Sequence, residues 1–128
     1  MSRRRLLIAE DDQIAQLYLK LLLENSGYDI VDTADSGDSV IEKALKFKPD
    51  LILMDIFLEN QTDGIEAVKK IRKSVIIPVV YITANTDEGT RIRAADTEPA
   101  AVINKPYSDS FLLSVLETVF RKLGKISC

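Results

Sequence analysis

The 128-residue chain contains no histidine, and its single cysteine is residue 128. Without an imidazole there is no Ser-His-Asp triad, no Cys-His pair and no His-ligated zinc site. One cysteine closes no intrachain disulfide, and a chain of this length can bury a core large enough to need none. Glycine and proline are sparse, at five and four residues, and no low-complexity segment or linker interrupts the pattern. Long apolar runs are missing too. The longest, Val75 to Ile82, is eight residues with Pro78 inside it, far short of a membrane span. Only Leu6 to Ala9 follow the basic run Arg3-Arg4-Arg5 before Glu10-Asp11-Asp12 intervenes, too few for an export signal. That run is the only stretch of three consecutive basic residues in a chain of net charge −3, which points away from nucleic acid as a direct partner. The expectation is a cytoplasmic protein with no membrane partner.

What is present is an ordinary globular composition, 46% hydrophobic and 29% charged, fitting one domain over 1–128 with a core of about 5–123 and no output domain. Proton transfer or metal binding must use its 20 carboxylates, 17 Lys/Arg and four Tyr. Short apolar runs alternate with helical periods. Leu6 to Ala9 reads as a strand, and Ile14, Leu17, Tyr18, Leu21 and Leu22 repeat at helical spacing up to Gly27. Leu17, Leu21 and Leu22 are expected to face the core. Tyr28 to Thr33 predicts a second strand, and Val40, Ile41, Ala44, Leu45 and Phe47 a second helix ending before Pro49. Leu51 to Met54 is a continuously apolar strand, followed by the polar loop Glu59 to Asp63 and a helix bearing Ile65, Val68 and Ile71. The Asp63-Gly64 pair there reads as plain turn chemistry ahead of a helix.

Ile76 to Thr83 and Ala100 to Ile103 predict the last two strands. Between them, Asp87 to Thr97 is helical, with Ile92 its only large apolar residue, and with so little to bury it should be mobile. Ser108 can cap a final helix whose face is Leu112, Val115, Leu116, Val119 and Leu123. Five strand–helix pairs whose strands are apolar on both faces imply a parallel sheet covered on each side, a doubly wound α/β sandwich.

Ligands of such sheets sit outside the carboxyl ends of the strands. The first strand ends in Glu10-Asp11-Asp12, the third in Asp55, the fourth in Thr83-Ala84 and the fifth in Lys105-Pro106; the second, ending in Thr33-Ala34-Asp35, shows no comparable group. Taken singly, each has a structural explanation: Asp12 as a helix cap, Asp55 as a turn residue, Thr83 as a β-branched strand residue, Lys105 as a solvated loop lysine. Their convergence on one edge is the informative signal. Carboxylates crowded together repel unless a cation joins them, and Mg²⁺ is the economical choice. With a lysine and a hydroxyl beside it, such a site suits a phosphoryl group, and an exposed carboxylate can act as nucleophile.

The segments LLIAEDD, LILMDIFLENQTDGIEAVKKIR, PVVYITAN and VINKPY, in this order and spacing, resemble the response-regulator receiver domain of two-component signalling, from Leu6 to about Leu123. The resemblance implies a flavodoxin-like (βα)₅ sandwich with strand order 2-1-3-4-5, and a phosphoacceptor at Asp55. It implies a metal site from Glu10, Asp11, Asp55 and the Phe57 backbone carbonyl, with Asp11 the direct ligand of the acidic pair and Glu10 acting through water. Thr83 matches the hydroxyl residue that contacts the phosphoryl group, Ala84 the small residue beside it and Lys105 the family's lysine, followed by a cis bond to Pro106. Asp12 lies just beyond the acidic pair with at most a supporting role. The implied partners are a sensor histidine kinase or phosphotransfer protein, and a downstream protein on the face made by the fourth strand and helix and the fifth strand and helix. A phosphorylation-dependent homodimer is a further expectation, and phosphotransfer and dephosphorylation would be self-catalysed rather than enzymatic turnover.

Two positions depart from the family pattern. The aromatic usually found three residues before the lysine is Val102, which leaves the standard switch in doubt. The loop after Asp55 is one residue longer than common, with Glu59 where proline is usual. Phe57 and Asn85 occupy positions that influence hydrolysis rate. The receiver is either a stand-alone protein or one excised from a larger regulator or hybrid kinase, and two other classes stay open: a Mg²⁺-dependent aspartyl phosphatase, although its second aspartate is here Phe57, and an interaction module that works without phosphate, which Val102 slightly favours.

Overall fold

The computed structural model describes residues 3–58, 63–84 and 87–126. The expectations for Glu59, the Glu59–Asp63 loop up to residue 62, Asn85 and Cys128 lie outside the described residues. Five strands and five helices alternate: β1 (Arg5–Ala9), α1 (Gln13–Asn25), β2 (Asp29–Ala34), α2 (Gly37–Phe47), β3 (Leu51–Asp55), α3 (Gly64–Arg72), β4 (Val79–Thr83), α4 (Glu88–Asp96), β5 (Ala101–Asn104) and α5 (Asp109–Ile126). All pair in parallel, in the order β2-β1-β3-β4-β5, as the resemblance implies.

The apolar runs are explained by strand geometry, in which successive side chains point to opposite faces. Leu7, Ile52, Met54, Val79 and Tyr81 enter one core with Val40 and Ala44 of α2, Ile65, Val68 and Ile71 of α3, and Ala94 of α4. Their neighbours Leu6, Ile8, Leu51, Leu53, Val80 and Ile82 enter the other, with Leu19 and Leu23 of α1 and Leu112, Leu116, Val119 and Phe120 of α5. The sheet is thus sandwiched between α2, α3 and α4 on one side and α1 and α5 on the other.

Helix starts carry matching caps. Asp12, Ser36, Asp63 and Asp87 accept hydrogen bonds from the first-turn amides of α1, α2, α3 and α4, and Ser108 accepts from Phe111 N at the start of α5. Asp12 is therefore the cap that its sequence context suggested. The β4 strand begins at Val79 rather than Ile76, since Pro78 precedes it and Ile76 is almost fully exposed.

One helix face must be corrected. Leu17 and Leu21, expected in the core, are exposed, together with Ile14 and Tyr18; Leu19 and Leu23 are the buried pair, with Leu22 packed at the margin. Alpha-helix α1 carries apolar residues nearly all round, QIAQLYLKLLLEN, so periodicity alone does not choose which side meets the sheet.

The expectation for α4 holds in its packing: only Thr90 and Ala94 are buried and Ile92 is exposed. Polar contacts anchor it instead. The Tyr81 hydroxyl meets Thr97 Oγ1 at 2.7 Å, and Thr97 Oγ1 donates to the Ala94 carbonyl at 2.7 Å. Arg93 Nη2 donates to Asp63 Oδ2 at 2.6 Å and lies 3.5 Å from Glu66 Oε1.

Candidate functional site

Pairing of β1 with β3 and of β3 with β4 sets Ala9 beside Met54 and Asp55 beside Ile82, so the chain leaves the sheet at one level along its carboxyl edge. Main-chain bonds then fix the exits. Glu10 N donates to Ala34 O at 2.9 Å, Ile56 N to Ile82 O at 3.2 Å and Lys105 N to Thr83 O at 2.9 Å. Glu10, Asp11 and Asp55 each bring a carboxylate oxygen to within 4.8 Å of the others. Glu10 and Asp55 are buried, at 4% and 8% exposure, and Asp11 is half-buried. Lys105 Nζ joins two of the three, 3.0 Å from Asp55 Oδ2 and 3.4 Å from Glu10 Oε1. The other Asp55 oxygen accepts from Phe57 N at 3.1 Å.

Thr83 is buried at the end of β4 and Ala84 beside it is exposed. The Lys105–Pro106 bond is cis, as expected, and Pro106 is exposed. Val102 is 45% exposed and lines a cleft of about 470 Å³ between α4 and β5, with Ile56, Thr83, Ala94, Ala95 and Pro99. A small side chain at this position leaves the cleft open, and Thr83 forms part of its wall.

The electrostatics suit a cation. Burial, with a contribution from the Asp55 charge, pushes the Glu10 carboxyl up to about 7, against the Asp12 amide and Lys105, which pull it down. Burial would lower the Lys105 ammonium, but the Asp55 and Glu10 carboxylates outweigh it and raise its pKa. A divalent ion with oxygen ligands would relieve this crowding at the three carboxylates. Glu10, Asp11 and Asp55 fit such an ion in number, donor chemistry and spacing.

A pH prediction follows from Glu10. Folding raises its pKa from 4.5 to about 7, so the folded chain holds a proton that the unfolded chain releases. That stabilisation is fully present below pH 4.5 and is lost as pH rises through 7. In chelator, the Tm should fall between pH 5 and 8, and Glu10→Gln should flatten that slope. A wild-type slope in Glu10→Gln would show that another group controls it.

Two contributors escaped the sequence reading. Gln16 Nε2 donates to the Glu10 carbonyl at 2.9 Å and reaches the Ala34 carbonyl at 3.4 Å, tying α1 to the strand exits. Gly64, read as turn chemistry, packs directly against the peptide of Asp55. Nothing in composition separates Gln16 from any other exposed-helix glutamine, whereas Asp63-Gly64 was visible and its packing was not.

The model of the response regulator receiver domain family matches residues 6–117. The chain belongs to this family. Among curated relatives, the receiver is 36% identical over 124 residues to the transcriptional regulatory protein PdtaR of Mycobacterium tuberculosis, covering 97% of this chain and 60% of that protein. It is 30% identical over 126 residues to the transcriptional regulatory protein ResD of Bacillus subtilis, covering 98% of this chain and 52% of that protein. The receiver thus spans little more than half the length of these relatives. Among solved structures, it superposes on the signal receiver domain of a modulated diguanylate cyclase from Desulfovibrio desulfuricans with a TM-score of 0.86 at 30% identity, covering 94% of this chain and 96% of that one. A two-component response regulator from Clostridium difficile gives 0.87 at 28% identity, covering 94% and 98%. The flavodoxin-like fold and the place in two-component signalling both follow from these matches. Among the described residues, no helix is long and apolar enough to cross a membrane.

Proposed function

We propose that this receiver takes a phosphoryl group from a phosphohistidine of a partner kinase or phosphotransfer protein onto Asp55, and that the modified domain changes its protein contacts. The observation that carries this reading is the Asp55 carboxylate itself, which lies between Lys105 Nζ and Phe57 N at the carboxyl edge of the sheet, with Glu10 and Asp11 alongside. An Asp55 oxygen forms the bond to phosphorus, the phosphorus–nitrogen bond of the donor breaks, and its electron pair returns to the imidazole. Lys105 then neutralises charge on the transferred phosphoryl oxygens, and the Thr83 hydroxyl, buried at the end of β4, is the donor proposed for one of them.

Glu10, Asp11 and Asp55, with the Phe57 carbonyl, are the groups that would hold Mg²⁺. When bound, the ion supplies positive charge that offsets the carboxylates and the incoming phosphoryl oxygens. Asp12 serves this arrangement indirectly: its amide donates to Glu10 Oε2 at 3.1 Å, while its side chain caps α1. The chemistry is self-catalysed on the domain's own aspartate rather than turned over on an external metabolite.

The output surface is assigned to β4, α4, β5 and α5. The cleft beside Val102 shares Thr83 with the phosphorylation edge, so a shift of Thr83 toward phosphate alters the cleft wall without an aromatic side chain at 102. Wild-type protein with acetyl phosphate and Mg²⁺ should acquire one phosphoryl label that hydroxylamine releases, and chelation of Mg²⁺ should prevent it. Failure of wild type to label under both a small donor and a phosphorylated kinase domain overturns the reading.

A further inference from the structure

The first turn of α3 approaches β3 more closely than any side chain would allow. A Cβ built on Gly64 would lie 2.5 Å from the Asp55 carbonyl oxygen, 2.7 Å from Met54 Cγ and 3.1 Å from Ile56 Cα. The Gly64 amide donates to the Ile56 carbonyl at 2.6 Å, so this contact is a bonded seat as well as a close approach. The start of α3 is fixed from the other side by Asp63, whose Oδ1 caps Glu66 N at 2.8 Å and whose Oδ2 receives Arg93 of α4 at 2.6 Å.

The seated peptide is the one that aims the reacting group. Asp55 contributes the carboxylate, and Ile56 continues into Phe57, whose amide holds Asp55 Oδ1. Real Cβ atoms essentially never come within 3.0 Å of another heavy atom, so any side chain at 64 forces this backbone apart by about half an ångström. The displaced atom is main-chain oxygen, which has no rotamer through which to yield. Constellations of this kind tolerate errors of only about 0.5 Å.

We propose that Gly64, seated by its Asp63 cap, is a positioning residue for Asp55: the missing side chain lets α3 clamp the Asp55–Ile56 peptide and so sets the carboxylate for Mg²⁺ and phosphoryl transfer. This rests on Asp55 being the phosphoacceptor. It differs from a role in stability alone, because the clamped atoms belong to the site and not only to the core.

Gly64→Ala tests it, with Gly89→Ala as control, since a Cβ at Gly89 would meet only the Asp87 carboxylate, at 3.3 Å. Each protein is checked for fold by circular dichroism, titrated with Mg²⁺ by calorimetry, and labelled with acetyl phosphate at saturating Mg²⁺. Gly64→Ala should bind Mg²⁺ at least tenfold more weakly and label at least tenfold more slowly even when saturated, while Gly89→Ala matches wild type. Wild-type Mg²⁺ affinity and labelling in folded Gly64→Ala overturns the proposal. If Gly64→Ala does not fold, Asp63→Ala decides, because it releases the clamp without adding atoms, with Asp63→Asn controlling for the lost charge. Asp63→Ala should weaken Mg²⁺ binding at least threefold relative to Asp63→Asn, and equal affinities overturn the proposal. Should wild type bind Mg²⁺ yet fail to label, the phosphoacceptor reading has failed instead.

Discussion

Asp55→Asn should abolish labelling by acetyl phosphate and Mg²⁺ altogether, because the amide cannot supply an oxygen nucleophile that survives as an acyl phosphate. The substitution is nearly isosteric at a buried position, so lost folding does not account for the result. It also removes one carboxylate from a group of three whose oxygens lie within 4.8 Å. The Asp55 charge is one of the causes that raise the Glu10 pKa, so Glu10 should ionise more readily in the variant. The Tm of the metal-free variant at pH 7 should therefore equal or exceed that of wild type. Mass mapping separates the alternatives: label retained on Glu10 or Asp11 in Asp55→Asn would place the acceptor one strand away. Complete loss with an intact fold assigns the phosphoryl group to Asp55.

The sheet and its chemistry were legible because both depend on local signals. Runs such as Leu51 to Met54 announce strands buried on both faces, and the charged residues that end them mark one edge whatever the details of packing. Boundaries moved by one to three residues, the largest shift falling where Pro78 delays β4 from Ile76 to Val79. The side of α1 that meets the sheet was not legible, since its sequence offers a stripe in nearly every direction and only tertiary fit selects Leu19 and Leu23. The anchoring of α4 was hidden for a different reason. Tyr81–Thr97 and Arg93–Asp63 join residues 16 and 30 positions apart, and polar pairs at such separations leave no periodic trace. Gly64 is intermediate: its identity was plain, but a close approach to Asp55 is a property of two elements, not of either sequence.

The exposed face of α1 offers a surface on which a protein phosphodonor can be tested. Ile14, Leu17, Tyr18 and Leu21 stand at i, i+3, i+4 and i+7, and all are more than half exposed, so they form one apolar stripe turned to solvent. The helix begins immediately after the Glu10-Asp11-Asp12 exit. Tyr18 also donates to Asp109 Oδ2 in the first turn of α5, and Phe111 nearby in sequence is 52% exposed. This apolar surface starts beside the proposed phosphorylation site, where a protein donor of the proposed kind would dock and a small one would not need to. Ile14→Asp combined with Leu17→Asp should therefore slow transfer from a phosphorylated histidine domain by about 100-fold or more, as expected for losing two anchors of roughly 2 kcal/mol each with incomplete additivity. Because Ile14 is 84% exposed and Leu17 56%, stability should change by no more than about 1 kcal/mol. Labelling by acetyl phosphate should stay within a few-fold of wild type. A parallel loss with both donors would locate the damage in the acidic site, whereas no loss with either would leave the stripe outside the donor interface. Only a donor-specific defect assigns the stripe to recognition, and the contrast between a protein and a small-molecule donor makes that distinction within one pair of substitutions.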